Sequence, residues 1–477
     1  MLTEASSGGR AGTKSNSNSM EYAIPSKLPT LTPEYIKKNY PSYLKLVGVQ
    51  VFHRHGERAP MTRRFDTITP QQWNLCEQAN QFQSALARSV NQHLPHPLSK
   101  HVDDNGEKYP AVWLYNIFSD IKSSNAFKNI SKPPNNSGGG DDDNSSSLHY
   151  GYNTCEYGQL TDRGRKSMQR VGTFLRDLYI NHLGFLPRDI SSSSSSSSEA
   201  DKNQIYLRST QYTRAIESLH QLVTGLYPNS VSPNAPESSR LAMNIKPALI
   251  DDMYIHYDQG QGFKELNRHQ LLAQQKIKHL YEPFIKSLFG LESIGKDIQK
   301  VFESSKFLPL VWVYDTLISM HFHDIPLPKD VTPSLLGELS HHAFVEAYAP
   351  HAHPSNYFTK IYDPIARLVT KNVVDAAVAA NNNINDNSTQ GLPPTPPKFR
   401  IYSAHDVQLS AILLLLGDHL TNEHKDTFGG YWPPYSSTIR IELLRDENEI
   451  SRSSSSSNLN KTVASSGDDN NNNNNNN

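Results

Sequence analysis

Three times along this 477-residue chain a short apolar run ends in a knot of charged side chains, and a helix-patterned segment follows. The first run is LKLVGVQVF (44–52), leading into HRHGERAP. Nearly continuous Val and Leu is how a strand buried on both faces of a parallel sheet reads. The second is QIYLRSTQYTRAIESLHQLVTGLYP, with Ile205 to Leu207 as strand and Arg208-Ser209-Thr210 as turn and helix cap. Ile216, Leu219, Leu222, Val223 and Leu226 then recur at helical spacing. The third is FRIYSAHDVQLSAILLLLG, with a strand over 399–402, the pair His405-Asp406, and a buried helix closed by Gly417. Strand, polar turn and helix in repetition define an α/β chain with a mostly parallel sheet. Each cluster then lies at the carboxyl end of a strand, where open α/β sheets bind their ligands.

The clusters bring together Arg54, His55 and Arg58 from the first, Arg208 from the second, and His405 and Asp406 from the third. Unpaired charge costs several kcal/mol to bury, so such residues face water, each other or an anion. Guanidinium forks match phosphate oxygens two at a time, and the anion implied is a phosphoryl group. Each cluster alone reads as a solvated loop or a helix cap. Three at equivalent strand ends read as one site.

Other segments bound the fold. GQLTDRGRKSMQRVGTFLRDLYI places Met168, Val171, Leu175 and Leu178 on one helical face behind Thr161 as N-cap. STIRIELL alternates as an outer strand does. Residues 1–20, 131–147, 191–198, 381–397 and 451 onward are Ser-, Asn-, Gly- or Pro-rich and lack the apolar residues that would offset the entropy of ordering, so they are expected to be disordered tails and insertions. With 46 basic and 47 acidic residues the chain has no global field for nucleic acid or an anionic membrane. No run reaches the ~18 apolar residues of a transmembrane segment, and the N-terminal stretch lacks the apolar centre of a signal peptide. Cys76 and Cys155 are too few for a disulfide framework, which points towards a cytoplasmic location, with a secretory or lysosomal one as the alternative, and leaves their pairing open.

The ordered motifs resemble those of the histidine acid phosphatase family, within the phosphoglycerate-mutase-like superfamily. Its R-H-G-x-R-x-P signature stands here as Arg54-His55-Gly56-Glu57-Arg58-Ala59-Pro60. GQLTDRG (158–164), YLRSTQYTRAIES, VYDTL (313–317), SAHDVQLSAILLLLG and WPPYSSTIRIEL (432–443) resemble later family segments in order. The resemblance implies a three-layer α/β sandwich with a mostly parallel central sheet and an inserted helical cap. The catalytic domain would cover 41–445, with its α/β core about 41–75, 153–230 and 398–445, its cap from about 76–130 and 241–380, and low-complexity tails at 1–40 and 446–477. It further implies a metal-independent acid phosphatase with no cofactor. His55 would be the nucleophile and Asp406 the general acid, with Arg54, Arg58, Arg208 and His405 binding phosphate. His53 replaces a more usual apolar residue and has no assigned role.

The partner expected is a phosphomonoester small molecule, with lysophospholipids as one candidate class. YIHYDQGQGF (254–263) and WPPY (432–435) suggest an aromatic rather than a strongly basic rim. Two alternatives within the fold are a phytase-type inositol phosphate phosphatase and a catalytically weak phosphatase-like binding protein. A metallohydrolase is the competing chemistry, suggested by HFHD (321–324), SHHAF (340–344) and PHAHP (350–354). Twenty histidines generate such pairs readily, and these show no convergence.

Overall fold

The computed structural model describes residues 28–65, 67–84, 101–102, 108–109, 111–113, 153–190, 203–231, 241–246, 251–253, 261–305, 309–348, 356–385, 396–417 and 431–449. Among these residues the main sheet has six strands: β1 (Leu44–Arg54), β2 (Ala111–Trp113), β3 (Ile205–Ser209), β4 (Ala242–Ile245), β5 (Phe399–Ala404) and β6 (Thr438–Asp446). Their spatial order is β2-β4-β3-β5-β1-β6. β4, β3, β5 and β1 run parallel, while β2 and β6 pair antiparallel at the two edges.

Alternation along β1 builds the layers. Val49 and Val51 join a core with Met168, Val171 and Leu175 of α2 (Asp162–Arg176) and Leu219 and Leu222 of α3 (Thr213–Leu226). Phe52 points to the opposite face, where Tyr362 and Ile365 of α8 (Asn356–Asn385) and Leu409 and Ile412 of α9 (Asp406–Gly417) cover it. Each fully buried aliphatic side chain of this kind contributes about 1.5–3 kcal/mol. The result is the expected three-layer sandwich, helices on both faces of a mostly parallel sheet.

A third cluster forms the cap. It joins residues of α4 (Gln261–Phe289), α5 (Gly295–Ser305), α6 (Leu310–Phe322) and α7 (Pro333–Tyr348) with Phe65, Trp432 and Tyr435. Trp432 and Tyr435 touch Asp406 and Arg54 at the strand ends, so the cap closes over the edge where the charged clusters emerge. The disulfide Cys76–Cys155, with its Cα atoms 5.1 Å apart, answers the pairing question and ties the segment after the signature loop to the approach to α2.

Domain limits differ from the sequence expectation in three places. Residues 33–39, expected in a tail, form α1 (Pro33–Asn39), capped by Thr32, whose side chain accepts from Tyr35 N–H. Leu31, Ile36 and Tyr40 pack against the main core, and Tyr40 donates to Glu442. β2 and β4 belong to the main sheet although both fall in segments expected to build the cap. α8 lies against the sheet instead of in the cap: Asn372 donates to Gln50 and to Tyr402. Its last turn runs to Asn385, into a tract expected to be unstructured. The tracts 1–20, 131–147, 191–198 and 451–477 lie outside the described residues.

Candidate active site

Strand register assembles the centre. Arg54 of β1 pairs with Ala404 of β5, so the next residue on each strand, His55 and His405, come out side by side with ring centroids 5.4 Å apart. On the other side of β5, Ser209 of β3 pairs with Ser403, which places Thr210 beside His405; its hydroxyl lies 2.9 Å from His405 Nε2. Gly56 must be glycine for a steric reason, because a Cβ there would meet the Gly164 carbonyl at 2.5 Å. That close crossing lets the signature loop turn beneath the first turn of α2.

His55 is 2% exposed, and its Nδ1 lies 2.9 Å from the Gly56 carbonyl. A carbonyl only accepts, so Nδ1 carries the proton and Nε2 keeps its lone pair. Burial, then Arg214, Arg54 and Arg58, hold the imidazole well below its usual basicity. His405 is pushed down to about 3 by burial and then by Arg214, with Asp406 acting in the opposite direction. Both rings are therefore neutral near pH 7.

Arg54 donates through Nη1 to the Pro433 carbonyl at 2.6 Å, and its Nη2 lies 2.7 Å from Asp406 Oδ2. Asp406 also accepts from Trp432 Nε1 at 3.0 Å. Burial works against its charged form, but Arg54 and the Trp432 donor outweigh that and keep its pKa below the ordinary carboxylate value. Arg58 donates through Nη1 to the Ala59 carbonyl at 3.0 Å and through Nη2 to Asp315 at 2.6 Å. The Tyr435 ring packs on both guanidiniums, with Arg54 Cζ 4.4 Å and Arg58 Cζ 5.6 Å from its centroid. The buried Nε atoms of Arg54 and Arg58 have no hydrogen-bond partner among the described residues. Buried donors of a charged group are costly to leave so, and an oxyanion is the partner that would complete them.

Five of the six sequence candidates thus converge: Arg54, His55, Arg58, His405 and Asp406. Arg208 does not join them. It is 1% exposed inside β3 and forms ion pairs with Asp251 and Asp252, a link between β3 and the segment after β4. Arg214, in the first turn of α3, is the cation that acts most strongly on both histidines. Sequence reasoning passed over it. A first-turn arginine on the helix that follows a cluster-bearing strand is the signal that could have found it.

The aromatic rim also differs from expectation. Trp432 and Tyr435 are 6% and 3% exposed and form the floor of the site; residues 254–260 lie outside the described residues. The exposed apolar side chains that reach the site residues are instead Tyr212 and Met61, the latter through its N–H on Asp315. Tyr212 sets its ring perpendicular to His405 at 5.1 Å, and Arg214 packs over it at 4.5 Å. Of the histidines beyond the site, His323 is buried against Trp73, and residues 350–354 lie outside the described residues. Among the described residues no group of three or more His, Cys, Asp or Glu could hold a metal ion, and no helix is long and apolar enough to cross a membrane.

A fold of this kind, with two histidines, an aspartate and arginines gathered at the strand ends, defines a phosphoryl-binding α/β protein. The chain belongs to the histidine phosphatase superfamily, branch 2, whose profile matches residues 45–461. It is similar to a probable acid phosphatase of Schizosaccharomyces pombe, 24% identical over 87% of this chain and 76% of that protein. It is also similar to a probable acid phosphatase of Dictyostelium discoideum, 28% identical over 62% of this chain. The match spans 58% of the Dictyostelium protein's length. Among solved structures, a Hafnia alvei phytase in complex with tartrate is similar at a TM-score of 0.44 and 14% identity, covering 86% of this chain and 83% of that one.

Proposed function

We propose that the chain is a metal-independent acid phosphatase that hydrolyses phosphate monoesters through a phosphohistidine on His55. The observation that carries this reading is the His55 tautomer: a neutral ring, its proton fixed on Nδ1 by Gly56, with its nucleophilic Nε2 set among arginines. In-line attack by Nε2 on phosphorus expels the ester oxygen, which takes its proton from Asp406. Arg54, Arg58, Arg214 and His405 hold the non-bridging oxygens as charge redistributes. Water, deprotonated by Asp406, then attacks phosphorus and returns His55. Arg214 takes the place in this set that was expected for Arg208.

The substrates are phosphate monoesters with an apolar or aromatic body, lysophospholipids included. Support comes from the exposed Tyr212 ring set against His405 and from exposed Met61, whose N–H sits on Asp315 beside Arg58. The Cys76–Cys155 disulfide supports an oxidising compartment in place of the cytoplasmic one that the low cysteine count suggested. A turnover screen over lysophosphatidate, nucleotide, sugar and inositol phosphates, with and without EDTA, tests the reading. It predicts undiminished activity in chelator and highest kcat/KM on the apolar esters. Preference for inositol hexakisphosphate would make the enzyme phytase-type, and phosphate binding without turnover would make it a binding protein.

A further inference from the structure

One helix of the cap presents polar groups to the catalytic floor at consecutive turns. Asp315, Ser319 and His323, spaced four residues apart at the face and end of α6, touch three different pieces of that floor. Asp315 takes Arg58 Nη2 at 2.6 Å on Oδ1 and the Met61 N–H at 2.8 Å on Oδ2. The Ser319 hydroxyl lies 3.0 Å from Tyr435 Oη, under the ring that supports Arg54 and Arg58. His323 lies 2.8 Å from the Thr161 hydroxyl, the N-cap of α2, whose backbone N–H donates to the Glu57 carbonyl.

We infer that Asp315 is a positioning residue for phosphoryl transfer, a cap-borne carboxylate that fixes the guanidinium of Arg58. The proposal rests on the phosphohistidine reading and adds a residue to it. A guanidinium is a rigid fork of five N–H groups, so two anchors fix its plane and the direction of the rest. Ala59 takes one Nη1 proton and Asp315 one on Nη2, which leaves the buried Nε–H for a ligand. Asp315 is itself pinned, because its second oxygen is committed to Met61 N–H. Without this anchor the Arg58 guanidinium can swing towards the other carboxylate that acts on it, Asp406. A fixed donor aimed at developing charge stabilises the transition state more than a mobile one of equal charge.

Asp315 acts through Arg58, so a double-mutant cycle separates this role from a general structural one. kcat/KM for p-nitrophenyl phosphate and the inhibition constant of inorganic phosphate are measured for wild type, R58A, D315N and R58A/D315N, with the melting midpoint of each. D315S enters the cycle if D315N does not fold. The proposal expects R58A and D315N each to lower kcat/KM by about 10- to 100-fold. Adding D315N to R58A should cost less than about threefold more. Equal losses in the two backgrounds, wild-type rates in folded D315N, or failure of both Asp315 variants to fold would overturn it. If instead R58A itself retains full activity, the reading of the site fails, and the positioning claim with it.

Discussion

Arg54 Nη2 lies 2.7 Å from Asp406 Oδ2, so the arginine poised for phosphate and the carboxyl poised as acid neutralise one another. In the proposed mechanism a phosphate dianion competes for Arg54 and places negative charge beside Asp406. Both changes raise the Asp406 pKa and load the proton that the leaving group needs.

That coupling makes Asp406 testable by leaving group. An alkoxide needs a proton to depart and a nitrophenolate does not. Asp406→Ala should lose about 10²- to 10⁴-fold in kcat on an alkyl phosphate and far less on p-nitrophenyl phosphate. Steady-state rates on the two esters check this; equal losses would reduce Asp406 to capping α9.

Arg208 and Arg214 should part company. Arg214→Ala should weaken inhibition by inorganic phosphate at least about tenfold and leave the melting temperature nearly unchanged. Arg208→Ala strands the buried Asp251 without its cation, a change that costs about 3–5 kcal/mol of stability. Phosphate titration and thermal melts of the two variants decide between these assignments.

The three strand-turn-helix units were legible because apolar runs, caps and terminating glycines are local signals. β1, β5 and α9 lie where those signals place them, and the closing segment STIRIELL is the edge strand β6. The second cluster misled because β3 continues through Ser209, which puts Arg208 inside the strand and Thr210 in the position that His55 and His405 hold on their own strands. Which side of a strand meets a pocket depends on the neighbouring strands, and no local pattern records it. Asp315 lies in the VYDTL segment that the sequence marks, but its pairing was hidden, since its partner Arg58 is 257 residues away. The WPPY segment reads as an exposed rim by composition, yet the cap folds over it and makes it the floor.

The neutral state of His55 predicts a pH response. Burial and three arginines depress its pKa below 6.5, so the ring stays unprotonated as pH falls from that value and is lost as a nucleophile only when pH passes through the lower folded value. In the free-enzyme profile, kcat/KM for p-nitrophenyl phosphate, no loss should therefore appear as pH falls through 6.5. An acid limb with an apparent pKa near 6.5 would contradict the buried, arginine-ringed environment.

The disulfide closes a loop between positions 79 residues apart, for which chain entropy gives about 4.5 kcal/mol. Replacing both cysteines by serine should lower the melting temperature by several degrees. The folded fraction at moderate temperature should keep its kcat, because neither sulfur touches the site. Calorimetry in parallel with rate measurement checks both parts.

Trapping the covalent intermediate tests the central claim most directly. The enzyme is mixed with ³²P-labelled substrate, quenched within the first turnovers and digested, and the labelled peptide is sequenced. The account predicts an acid-labile, base-stable phosphate on the peptide containing Arg54-His55-Gly56, and none on His55→Ala. Label on a serine or another histidine, or substrate turnover by His55→Ala at the wild-type rate, would contradict it.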